Sequence, residues 1–159
     1  MSGYNHPGAA ARARMLTVRC DHCGKTNRIP VAAEGTPRCG NCHRPLPWIV
    51  DADEQDFTEV AERATLPVLV DLWAAWCGPC RMVSPALERV AREMAGRIKL
   101  VKVDVDKSQR LQQRFTVMAV PTLLILDRGR EIARQAGAAP PHVLREWAEK
   151  AIARRAQPA

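Results

Sequence analysis

Val68-Leu69-Val70-Asp71-Leu72-Trp73-Ala74-Ala75-Trp76-Cys77-Gly78-Pro79-Cys80 is the stretch that decides the fold. Its first half is a nearly unbroken apolar run, which reads as a buried strand over residues 66–74. Its second half opens a helix over residues 78–95, with Met82, Val83, Ala86, Leu87, Val90 and Met94 at helical spacing and Pro85 expected to kink it. A cysteine at the joint between strand and helix has a chemical consequence. The N–H groups of a first helical turn have no partner within the helix and point towards Cys77, so its thiolate is favoured and its pKa is expected to fall below that of a free cysteine. Cys77 is the expected nucleophile, forming a mixed disulfide with a substrate. Cys80, one turn inward, then attacks Cys77 and releases the reduced substrate. Pro79 suits the first turn and limits how oxidising the pair becomes, while Gly78 keeps the approach open. A structural disulfide, or half of a metal site, is the alternative for any single C-x-x-C.

Working outward from this stretch, residues 98–105 alternate as a strand, and a short helix is expected over 108–115. Residues 122–126 and 131–135 read as strands flanking a turn at 127–129, and 140–153 as a closing amphipathic helix. Upstream lie a short strand at 48–50 and a helix over 53–64 with Phe57, Val60, Ala61 and Ala64 on one face. The order βαβαβαββα implies an α/β fold, a central mixed sheet flanked by helices on both faces.

The first third has a different character. Residues 1–15 are small, polar or basic without hydrophobic period and read as a flexible tail, with Met15 as an alternative start. Residues 16–46 have too few large apolar side chains to form a core unaided, so a cross-link is expected to hold them. Cys20-Asp21-His22-Cys23 and Cys39-Gly40-Asn41-Cys42 supply it, in the C-x2-C-x15-C-x2-C spacing of a structural zinc site. Cys20, Cys23, Cys39 and Cys42 would close a tetrahedron around one zinc ion with no position open to substrate, making a small zinc-ribbon-like module; His22 and His43 are left as surface residues. Reversible disulfides or a second redox centre are the rival reading. The α/β domain is expected over residues 47–156.

The segment from Val68 to Cys80 closely resembles the thioredoxin family, and the resemblance extends over roughly residues 48–153. It implies the thioredoxin fold and a set of site residues. Asp71, a carboxylate in an apolar strand, matches the family's buried aspartate, which exchanges a proton with the second cysteine, here Cys80. Without the resemblance, a polar residue at a strand end is an even alternative. Lys102, in Val101-Lys102-Val103-Asp104, matches the lysine near that aspartate, with an exposed strand lysine as the alternative. Val120-Pro121-Thr122 matches the cis-proline loop that faces the cysteines and offers backbone groups to an extended substrate, with a trans proline at a strand edge as the alternative. Trp76 is expected to cover the cysteines, Trp73 to pack, Arg81 to keep the charge of the lysine often seen there, and Gly137 to keep the substrate groove open. The segment from Cys20 to Cys42, including Thr26-Asn27-Arg28-Ile29-Pro30, resembles the zinc module of some bacterial thioredoxins of a second type.

The resemblance implies a general protein-disulfide reductase, recharged by an NADPH-dependent thioredoxin reductase and acting on oxidised cytosolic proteins. No dinucleotide fingerprint occurs, so no bound organic cofactor is expected. The 159-residue chain carries a formal charge of +7, of which residues 1–50 hold +5; four zinc-bound thiolates would lower the total to about +5. That modest excess argues against a nucleic-acid partner. Neither a membrane span nor an apolar signal segment is visible, and every cysteine falls in a C-x-x-C pair, so a cytoplasmic monomer is expected. Two further readings compete: a zinc-dependent redox sensor or binding module built on the N-terminal cysteines, and an oxidant or isomerase, against which Gly78-Pro79 argues.

Overall fold

A computed structural model describes residues 14–155. The expected tail therefore lies outside the described residues up to position 13. Its last two residues depart from expectation: Met15 opens a strand, and Arg14 pairs with Asp56 at 2.5 Å while donating to the Asp51 carbonyl.

Two sheets form. The small one pairs β1 (Met15–Arg19) antiparallel with β2 (Thr26–Pro30). The large one contains β3 (Ile49–Ala52), β4 (Val68–Trp73), β5 (Lys99–Asp104), β6 (Thr122–Asp127) and β7 (Arg130–Ala136). Their order is β3-β5-β4-β6-β7, with β3, β4 and β5 parallel and β6 and β7 antiparallel. This is the mixed sheet expected from the element order. The β6–β7 turn bends through Arg128 and Gly129, both at positive φ, and a Cβ on Gly129 would also sit 3.3 Å from the Glu62 carbonyl.

Helices cover both faces. On one side, α2 (Gly78–Glu93) and α4 (Pro141–Arg155) bury Val83, Leu87, Val90, Leu144 and Ala148 against Leu69, Leu100, Leu123 and Ile125. Pro85 stands inside α2, which runs on through it. On the other side lie a short π-type segment, α1 (Thr58–Glu62), and the single-turn-and-a-half α3 (Gln109–Arg114). The helix expected over 53–64 is thus much shorter. Asp53 caps the first turn: its carboxylate accepts the N–H groups of Gln55 and Asp56, its own N–H donates to Asp56, and Phe57 bonds back to its carbonyl. The ladder then widens, with Arg63 bonding back five residues to Thr58. Its apolar face survives: Phe57, Val60, Ala61 and Ala64 are all buried.

The four-cysteine segment packs on this second face. Ile29, Val31, Ala32 and Leu46 join one core with Trp48, Phe57, Val60 and the inward residues of β4 and β5. The Trp48 Nε1 donates to the Pro30 carbonyl, 3.0 Å away. The buried Lys99 ammonium donates to the carbonyls of Val31 and Val60, and lies 3.8 Å from the centre of the Trp48 ring. A segment with too little apolar surface for its own core thereby borrows one.

Candidate active site and metal centre

Cys77 and Cys80 form a disulfide, with Cα atoms 5.3 Å apart. Strand β4 ends at Trp73, the chain turns through Ala74-Ala75-Trp76, and Cys77 caps α2 with extended backbone while Pro79 stands in the first turn. The Cys80 N–H donates to the Cys77 Sγ at 3.2 Å, so a first-turn amide is aimed at this sulfur. The same Sγ lies 3.5 Å from the Val120 carbonyl oxygen, immediately before a cis Val120–Pro121 peptide. Trp76 is 69% exposed, and its Nε1 donates to Asp106 at 3.0 Å.

Cys77 itself is only 3% exposed, so a substrate meets little more than the edge of its sulfur. The surroundings are open, however. A Cβ on Gly78 or Gly137 would meet nothing within 4 Å, and Met118 beside the cis-proline loop is 88% exposed. The Gly137 N–H is already used by the Pro121 carbonyl.

Beneath the disulfide lies a cavity of about 350 Å³ lined by Asp71, Trp73, Ala74, Ala75, Cys80, Arg81, Ser84 and Lys102. Asp71 is fully buried and neither carboxylate oxygen has a hydrogen-bond partner; the Trp73 Nε1 is also unpaired. Burial pushes the Asp71 carboxyl up to about 6, Lys102 pulls it down, and Glu88 pushes it up. The cavity joins this carboxylate to Cys80, with room for ordered water beside carboxylate oxygens that have no protein partner. Lys102 is the register partner of Asp71, but its Nζ donates to Ser84 Oγ at 2.6 Å and Glu88 Oε1 at 3.3 Å. Sequence reading missed Ser84, Glu88 and Asp106. No motif marks them; only the helix spacing from Cys80 could have pointed to Ser84 and Glu88.

The four N-terminal cysteines converge. Their sulfurs all lie within 4.8 Å of one another, with Cys20–Cys42 at 3.6 Å and Cys23–Cys39 at 3.5 Å, and none is disulfide-bonded. A tetrahedron of Zn–S bonds has sulfur edges of about 3.8 Å, so the donor set fits such an ion. Thiols this close cannot all ionise unaided. The Cys42 amide, opposed by burial and helped by the Asn41 amide, holds Cys39 down to about 6. Cys42, although it receives the Arg44 amide, is pushed up to about 11 by burial and by the three neighbouring sulfurs. A dication would remove that conflict. Asn27 ties the two knuckles together: Oδ1 accepts the Gly40 N–H at 2.9 Å, and Nδ2 donates to the Lys25 carbonyl and towards Cys39 Sγ.

Among the described residues no helix is long and apolar enough to cross a membrane. Residues 48–150 match the thioredoxin family profile. Thioredoxin C-3 of Corynebacterium nephridii is 34% identical over 140 residues, 86% of this chain and 96% of that protein, a span longer than residues 47–159 and so reaching into the four-cysteine segment. Thioredoxin of Bacillus subtilis strain 168 is 42% identical over 102 residues, covering 64% of this chain and 96% of its own length. The chloroplastic thioredoxin M5 of Oryza sativa subsp. japonica is 33% identical over 147 residues, 89% of this chain and 86% of that protein. With its mixed sheet, its Cys77–Cys80 pair at a helix mouth and its cis Pro121, this chain belongs to the thioredoxin family.

Proposed function

We propose that the chain is a thioredoxin-type protein-disulfide reductase whose Cys77 attacks and whose Cys80 resolves, with a structural zinc ion held by Cys20, Cys23, Cys39 and Cys42. The observation that carries the reading is the redox pair itself: Cys77 stands at the mouth of α2 with the Cys80 amide on its sulfur and the cis-proline edge beside it. Starting from the dithiol, the Cys77 thiolate attacks one sulfur of a substrate disulfide; a mixed disulfide forms and one substrate thiolate leaves. Asp71 takes the Cys80 proton through water in the cavity below, and the Cys80 thiolate then attacks Cys77 and expels the second substrate thiolate. Two electrons pass to the substrate and the disulfide found here is the product. Trp76, Gly78, Pro79 and Pro121 shape the docking edge, where the half-buried Val120 before the cis proline offers its backbone to an extended segment.

Reduction back to the dithiol is assigned to an NADPH-dependent thioredoxin reductase, and the substrates to oxidised cytosolic proteins, with the chain acting as a cytoplasmic monomer. Zinc supplies a closed, redox-silent cross-link for residues 16–46, and the chain's own thiolates and Asn27 orient around it. The test is insulin reduction with dithiothreitol as donor. Wild type is expected to be active and Cys77→Ser inactive, while Cys80→Ser accumulates a mixed disulfide. Full activity in Cys77→Ser overturns the assignment.

A further inference from the structure

Asp71 and Lys102 sit side by side on adjacent parallel strands, so their side chains leave the same face of the sheet. An ion pair between them would be the simplest outcome. Instead both Asp71 oxygens are unpartnered, and the Lys102 ammonium bonds to Ser84 and Glu88. Cys80, Ser84 and Glu88 are spaced four apart on α2 and so form one stripe facing this part of the sheet.

We propose that Ser84 and Glu88 are positioning residues of the redox centre: they hold the Lys102 ammonium away from Asp71, leaving its carboxylate free as the proton acceptor for Cys80. This rests on the reductase reading above and deepens it. A buried carboxylate in direct contact with an ammonium is a weak base, because the opposite charge favours its ionised form. Held apart, the same ammonium moderates the carboxylate at a distance without closing it off, and the proton affinity stays near neutral pH where it serves exchange with a thiol. Among the described residues no other cation takes the place of Lys102, whose register partner on β3, away from Asp71, is Asp51. On α2, Arg81 reaches the cavity edge but donates to the Ala75 carbonyl. On β6 the residue opposite Asp71 is Leu123, on β4 the flanking same-face residues are Leu69 and Trp73, and on β5 Asp104 lies opposite Trp73.

Ser84→Ala tests this cleanly because it alters no charge. The Asp71 carboxyl is titrated by carbon-13 NMR in the oxidised protein for wild type, Ser84→Ala, Glu88→Gln, Lys102→Met and the Ser84→Ala/Lys102→Met pair, with thermal melts to confirm folding. Freed from its anchor, Lys102 is expected to swing towards Asp71 and lower the midpoint by about one pH unit in Ser84→Ala. Glu88→Gln should lower it as well. In the Lys102→Met background the Ser84→Ala shift should vanish. An unchanged or raised midpoint in Ser84→Ala, or an equal shift without Lys102, overturns the proposal. The titration does not depend on turnover, so failure of the reductase reading would show only in insulin reduction by wild type.

Discussion

The Lys99 ammonium on the central sheet donates 2.6 Å to the carbonyl of Val31, a residue of the four-cysteine segment, and so stitches that segment into the core of the α/β domain. Burial holds the Lys99 amine down to about 7, with Asp56 pulling the other way. The unfolded chain therefore binds more protons than the folded one between about pH 7 and the ordinary lysine value of 10.5. Stability from this site is lowest below pH 7 and climbs through that window. Urea unfolding at a series of pH values should show the climb in wild type and its loss in Lys99→Met.

The shared core also bears on truncation. Excising residues 1–46 would remove Ile29, Val31 and Leu46 from the core and strip Lys99 of one of its two carbonyls. We expect the shortened chain to melt well below the full one, measured by circular dichroism. Equal melting temperatures would show that the segment contributes nothing to the fold.

Asp71 carries a stability cost with the opposite pH dependence. Its carboxyl, raised to about 6 from 3.8, binds protons in the folded state that the unfolded chain has already lost. The cost is absent below pH 4 and complete above pH 6. Asp71→Asn should therefore stabilise the protein at pH 8 by on the order of 3 kcal/mol, with the gain fading as pH falls towards 4. The same variant should slow insulin reduction, since Cys80 loses its proton acceptor. Denaturant titration at pH 4 and pH 8 checks the first part.

Metal analysis of the purified protein should find one zinc ion per chain, and Cys39→Ser should lack it. Asn27→Ala should retain the ion but release it to a chelator about 10–100-fold faster, because the side chain that joins Gly40, Lys25 and Cys39 is gone. Zinc removal should lower the melting temperature of the whole chain in a single transition, given the common core. A metal-free protein with unchanged melting would remove zinc from the picture.

Much of this was legible in the sequence because strand and helix periods are read locally. The apolar run into Cys77, the helix spacing from Met82 to Met94 and the turn around Gly129 all appear where expected, within a residue or two. Two things were not legible. The 53–64 segment carries only the short α1 because, after a first turn capped by Asp53, its hydrogen bonding widens to the five-residue spacing between Thr58 and Arg63, which no apolar period announces. The strands of the four-cysteine segment were hidden because Leu16, Val18 and Ile29 find their apolar partners in a distant part of the chain. Likewise the pairing of Lys102 with Ser84 and Glu88 is a property of two elements meeting, β5 and α2, which no single window of sequence contains.

The most direct measurement is the pH dependence of alkylation in the reduced protein, with peptide mapping to assign the modified cysteine. A sulfur capped by the first turn of α2 should be ionised well below the ordinary thiol range, so iodoacetamide should modify Cys77 first, with a rate inflection below about pH 8. An inflection at or above about 8.5, or modification of Cys80 ahead of Cys77, would contradict its assignment as the attacking group.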